Sequence, residues 1–129
     1  MSYMKRLVED MVYVQVWLNQ AEDGWNFWNG YRPGDKMLLA AEYYRHTSLL
    51  PDPRDERSPD RILNEAWREL NIDDPTAEWA KEYRANGNRS LSVGDVVMVG
   101  EVAYAVAKMG WEQVSLSSQD CIYTQARGL

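Results

Sequence analysis

The chain has 129 residues, enough for one hydrophobic core and little more. Hydrophobic residues make up 45% and charged residues 26%, ordinary proportions that exclude intrinsic disorder, collagen-like repeats and disulfide scaffolds. A net charge of −6, from 20 acidic and 14 basic side chains, argues against a nucleic-acid backbone or an anionic membrane as the main partner.

The amino-terminal Lys5 and Arg6 are followed by Glu9 and Asp10, which a secretory h-region would not hold. The apolar run that follows, Met11 to Leu18, is broken by Gln15 and is far shorter than the roughly 20 residues of a membrane span. One cysteine, Cys121, cannot form an internal disulfide. No membrane partner is expected, and the cytoplasm is the expected location.

Residues 1–51 hold nine of the fifteen Trp, Tyr and Phe residues. Met11 to Leu18 (MVYVQVWL) reads as a strand, with Val12, Val14, Val16 and Leu18 on one face and Tyr13, Gln15 and Trp17 on the other. Gly24 to Asp35 is rich in Gly, Asn and Pro and reads as a loop or wide hairpin connection. Met37 to Tyr44 suits either a helix or a strand, and a strand antiparallel to the first is the preferred reading.

Helices are expected in residues 58–87. Ser58 as N-cap, Pro59 at the first helical position and Asp60 in the first turn mark a start. Ile62, Leu63, Ala66, Trp67 and Leu70 then recur at helical spacing, with Asn71 as a left-handed cap. Asp74-Pro75 repeats the start signal for a second, shorter helix that ends at Asn86-Gly87. In residues 88–114, β-branched runs separated by Gly100 and Gly110 describe a three-stranded meander. Residues 115–129 are polar and small and are expected to form a mobile tail. The prediction is an α+β fold: one domain over residues 1–114, with an antiparallel sheet and one or two amphipathic helices packed on one face. Val14, Val16, Val97, Val99, Tyr104 and Val106 join the helical stripe in the expected core.

Arg89-Ser90-Leu91-Ser92-Val93-Gly94-Asp95-Val96-Val97, followed by Tyr104, Gly110-Trp111 and Val114, forms a motif. With the preceding helix pair it resembles the carboxy-terminal module of small accessory proteins from actinobacterial plasmids and actinobacteriophages. It is more distantly similar to YodL-like modules, in which Phe is the commoner residue at the position of Trp111. The resemblance covers about the second half of the chain. It implies a mobile-element setting and a fold element rather than a chemistry. On physical grounds Val93-Gly94-Asp95 is a turn before a strand, and Ser90 and Ser92 are placed to satisfy local backbone. A corner that sets sheet register is favoured over a ligand-binding loop. Tyr104 and Trp111 are expected to meet across adjacent strands.

No catalytic constellation emerges. A Cys–His pair would need the fold to unite His46 and Cys121, which are 75 residues apart. One His and one Cys make a poor zinc set, and no phosphate-binding glycine loop is present. The carboxylate pairs Glu9-Asp10, Glu22-Asp23, Asp55-Glu56 and Asp73-Asp74 read as solvated charges, with Asp74 also a helix cap. No cofactor or metal is expected.

The segment from Trp25 to Tyr31 carries four aromatics in seven residues, more than a loop needs. Exposed, Trp25, Phe27, Trp28 and Tyr31 would form an interaction surface; folded back, they would cap the open face of the sheet. Folding back is slightly preferred, because aromatics in small domains usually help complete the core. The expected function is non-enzymatic: a mobile-element accessory protein, of a phage by preference, binding a host or phage protein. The alternatives are an acidic decoy for a nucleic-acid-binding protein, drawing on ten acids and six bases in residues 52–84, or an enzyme with an uncommon carboxylate or His site. Self-association into a homo-oligomer is compatible with the sequence.

Overall fold

In the computed structural model, residues 11–46 and 59–123 are described. Strand β1 (Met11–Asn19) leads through a one-turn helix, α1 (Trp25–Asn29), into β2 (Met37–His46). Helices α2 (Asp60–Asn71) and α3 (Glu78–Ala85) follow. Strands β3 (Val96–Val99), β4 (Val102–Val106) and β5 (Trp111–Val114) then form the meander. A 3₁₀ turn, Ser118–Asp120, leads into a two-residue strand, β6 (Cys121–Ile122). The fold is α+β, with one sheet in the order β5-β4-β3-β1-β2-β6. Every pairing is antiparallel except that of β2 with β6, which is parallel.

The ambiguous segment from Met37 is a strand because it pairs along nearly its whole length with β1. Val14 faces Tyr43 and Val16 faces Ala41 in its ladder with β1. One extra residue, Ala40, then shifts the register, so that Trp17 faces Leu39.

The period-2 alternation of β1 places Val14, Val16 and Leu18 on the face covered by helices, where they pack with Val97, Val99 and Val106. From α2 come Ile62, Leu63, Ala66 and Leu70, and from α3 Ala80 and Tyr83. Each large aliphatic side chain of α2 removed from water contributes about 1.5–3 kcal/mol. The helix is therefore held mainly by packing. The Trp79 ring stacks on Tyr43, with centroids 3.9 Å apart and planes 7° from parallel, and so docks α3 onto β2.

The opposite face carries its own cluster of Trp17, Met37, Val96, Ala103 and Ala105, and Leu116 and Cys121 pack against it. A flat six-stranded sheet would hold its edge strands about 24 Å apart. The link from β5 to β6, three of its residues in a 3₁₀ turn, spans only about 20 Å. The sheet therefore curls, and the link passes over the second face to join one edge to the other.

Several expectations change. The tail expected after Val114 returns to the sheet: β6 pairs with Met37 and Leu38, and just beyond it the Tyr123 ring meets Trp17 edge-on at 5.4 Å. Residues 124–129 lie outside the described residues, as does Ser58. Pro59 is itself the N-cap of α2, its carbonyl accepting from the N–H groups of Ile62 and Leu63. Asn71 closes the helix in ordinary helical geometry, because no residue other than glycine takes a positive φ among the described residues.

The core stripe of α2 also shifts. Trp67 is 43% exposed, while Glu69 is buried. Trp67 sits about 100° around the helix from Ala66, whereas Glu69 follows Ile62 by seven residues, close to two full turns. The buried Glu69 carboxylate caps the next helix, a role assigned above to Asp74. It accepts from the Thr76 N–H (2.7 Å), the Ala77 N–H (2.9 Å) and the Thr76 hydroxyl, and it pairs with Arg68 at 3.0 Å. Burial opposes its charge, but these donors prevail and hold the carboxyl below its ordinary range. Tyr104 and Trp111 lie on one face as diagonal neighbours, since Tyr104 faces Gln113 and Trp111 faces Val106. Each packs individually against the main core.

Candidate interaction surface

The hairpin end between β1 and β2 is built on buried polar side chains. Asn19, the last residue of β1, is 6% exposed. Its side-chain N–H groups donate to Asp35 (3.0 Å) and to the Gly94 carbonyl (3.2 Å), and its side-chain oxygen accepts from the Ala21 N–H. Its backbone N–H donates to Asp95 at 2.7 Å. Asp95, fully buried, also accepts two bonds from the Arg89 guanidinium, at 2.7 and 2.8 Å, and one from the Ser92 N–H at 2.7 Å. Arg89 donates further to the Asn19 carbonyl, and the Tyr83 hydroxyl donates to the Arg89 carbonyl.

The Arg89–Asp95 stretch of the motif is thus a corner that fastens β3 to the end of β1. A bidentate ion pair with its remaining acceptor sites filled is the condition under which a carboxylate can be buried. Ser92 serves through its backbone, closing a turn onto Asp95. Gly94 takes φ +95°, and a Cβ there would lie 2.6 Å from the Cβ of Asn26. Glycine permits both the turn and the close approach of α1.

Asn26 is the anchor of α1. Only 2% exposed, it donates to the Val93 carbonyl at 3.0 Å and pins the helical turn against the corner. The segment expected as a loop therefore contains a helical turn with its polar residue inward. Its aromatics project outward: Trp25 is 38% exposed, Phe27 51% and Trp28 73%. The expectation that they fold back over the sheet is overturned for these three, because Asn26 occupies the inward position. Tyr31 alone turns inward, beside the second cluster, and burial pushes its hydroxyl pKa up. Arg32 lies over the Trp25 ring at 4.8 Å and ion-pairs with Asp23 (3.2 Å) and the buried Asp35 (2.9 Å). The result is a rigid base bearing an apolar cap with a cation at its rim.

Other sites are not united. Cys121 sits beside Met37 at one end of β2 and His46 lies at the other, about 30 Å away along the strand. Burial and the neighbouring Asp120 push the Cys121 thiol above its ordinary value, which disfavours the thiolate. Among the described residues no group of three or more His, Cys, Asp and Glu is placed to hold a metal. Of the carboxylate pairs, Glu22, Asp73 and Asp74 are solvent-exposed and Asp23 is held by Arg32; Glu9-Asp10 and Asp55-Glu56 lie outside the described residues.

Two clefts open elsewhere. One, of about 340 Å³, lies between Trp67 and Trp111 over Val93 and Val106, with Lys108 at its rim; the Trp111 indole donates to Asn64 at 3.4 Å. The other, of about 310 Å³, runs beside Leu39 to Glu42 of β2 and is walled by Trp79, Glu82, Tyr83 and Asn86 of and beside α3, and by Tyr123. Neither was legible from composition; the exposed flank position of Trp67 on the helical wheel was the one available signal.

Compared with protein-family models, curated proteins and solved structures, the chain matches none of them.

Proposed function

We propose that the chain is a non-enzymatic accessory protein of a mobile element, of a phage by preference, that acts in the host cytoplasm by binding a host or phage protein through α1. The observation that carries this reading is the outward display of Trp25, Phe27 and Trp28 on a turn whose polar residue is buried. Large aromatic side chains held on a rigid base lose little conformational freedom on binding and bury much area, which is why Trp and Tyr dominate interface hot spots. Arg32 at the edge of the patch supplies the polar rim such interfaces carry. The acidic-decoy alternative draws less support. Glu69 is buried as a helix cap, Glu65 pairs with Arg45 at 2.7 Å, and Glu78 with Lys81, so the helical surface is less acidic than its residue count.

The test uses the full chain and its Phe27→Ala/Trp28→Ala variant as parallel baits in an actinobacterial lysate. A protein held by the first and lost by the second, with both baits giving the same circular dichroism and melting behaviour, supports the reading. Equal capture by both baits, or no specific capture by either, refutes it.

A further inference from the structure

We propose a second binding surface, independent of the α1 patch: the outer edge of β2 from Ala41 to Arg45 accepts an extended, basic segment of a partner protein as an added strand. The edge is created by the topology. β2 has ten residues, and β1 pairs with all of them but Ala40, while among the described residues β6 covers only Met37 and Leu38 on its other side. The extra residue Ala40 falls just beyond that short pairing, where the ladder changes register. Beyond it, alternate backbone N–H and C=O groups of Ala41–Arg45 face outward over about 17 Å, a row suited to strand addition.

The cleft beside this edge sets the chemistry of the occupant. Tyr43 stacks on Trp79 beneath the helices, so by alternation Ala41 lies on the helix side and Glu42 and Tyr44 on the opposite side. Glu82 of α3 lines the helix side of the same cleft. A strand laid along the edge would thus meet one carboxylate on each side, Glu42 also accepting from the Tyr13 hydroxyl at 2.9 Å, and among the described residues no Lys or Arg lines the cleft. Arg45, the cation of the edge itself, is engaged by Glu65. Adjacent residues of an extended chain point to opposite sides, so two consecutive basic residues place one cation near each carboxylate. Flanking β-branched residues suit the pleat and the Trp79 wall. The site lies away from α1, which sits at the Asn19–Met37 end of the hairpin.

The probe is a capped hexapeptide with two central lysines flanked on each side by valine and threonine, added to the full-length chain. Amide exchange at alternate positions within Ala41–Arg45 should slow about tenfold at a peptide concentration ten times its dissociation constant. The Glu42→Lys/Glu82→Lys variant, checked for unchanged circular dichroism, should lose that protection, and a peptide with glutamates in place of the lysines should give none. The Phe27→Ala/Trp28→Ala variant should bind the peptide as wild type does, so failure of the α1 reading and failure of this one are separable. Protection of the edge without peptide overturns the proposal. If independent of protein concentration, the occupant is the chain itself; if dependent on it, a second copy. Binding unaffected by charge reversal, or protection elsewhere on the sheet, also overturns it.

Discussion

The corner at Arg89–Asp95 and the turn at Trp25–Tyr31 are both short, glycine-containing segments, and they resolve their side chains in opposite ways. The corner buries charge: Asp95 is fully enclosed, and Asn19, Ser92 and Arg89 fill its acceptor sites. The turn exposes aromatics: Trp28 is 73% exposed while its neighbour Asn26 is enclosed. The two touch through Asn26, Val93 and Gly94. The corner is thus the platform from which the turn presents its rings. Hydrophobicity alone would have placed the rings inside and the carboxylate outside. For Asp95, hydrogen-bond satisfaction reverses that order, because an enclosed acceptor with every donor supplied costs little while an orphaned one costs several kcal/mol. Asn26 is held through its amide N–H alone, its side-chain oxygen having no partner among the described residues.

The contrast can be broken at either end. The largest effect is expected from Asp95→Ala, which strands the Arg89 guanidinium and two backbone N–H groups and should lower unfolding free energy by about 3–5 kcal/mol in a urea titration. A loss under 1 kcal/mol would mean that the network is not structural. Next comes Gly94→Ala, where positive φ and the 2.6 Å approach to Asn26 act together. We expect about 2–4 kcal/mol, against about 1 kcal/mol for Gly110→Ala, whose φ is +75° but whose surroundings are open. Equal losses would show that α1 does not press on the corner.

A smaller effect is expected at the buried cap. The Glu69 carboxyl is held below its ordinary value of 4.5, so its contribution is complete above that pH and is lost as pH falls through the lower folded value. Wild type should therefore lose about 1–2 kcal/mol relative to Glu69→Gln on acidification from pH 6 to pH 3, measured by thermal melts. Parallel pH profiles would remove Glu69 from the role of cap. The smallest effect is expected at the exposed end of the contrast: Trp28→Ala should shift stability by less than about 0.5 kcal/mol. A larger loss would mean that the ring belongs to the core after all.

Much of the fold was legible because its signals are local. Alternation in Met11–Leu18 named the helix-covered face of β1, and the spacing of Ile62, Leu63, Ala66 and Leu70 named the buried face of α2. Glycines at 100 and 110 marked the meander turns. What escaped was set by partners distant in sequence. Asn26 meets Val93 across 67 residues and Asn19 meets Asp95 across 76, so neither asparagine differs in its local sequence from an ordinary turn former. Glu69 escaped for a different reason: its position on the helical wheel was readable, but a charged residue on a buried face makes sense only once the start of α3 is seen to need an acceptor.

The sequence by itself determined β1, the two longer helices and the meander, and the apolar stripe of the longer helix, because backbone periodicity and turn chemistry act over a few residues. Only the tertiary structure decided that the sheet curls, that residues 115–123 bring its last strand to the far edge, and that, among the described residues, most of β2 has a partner on one side only. It also decided that the aromatic turn faces solvent. Those outcomes depend on which distant groups supply hydrogen bonds and cover surface, and no local pattern of residues encodes that competition.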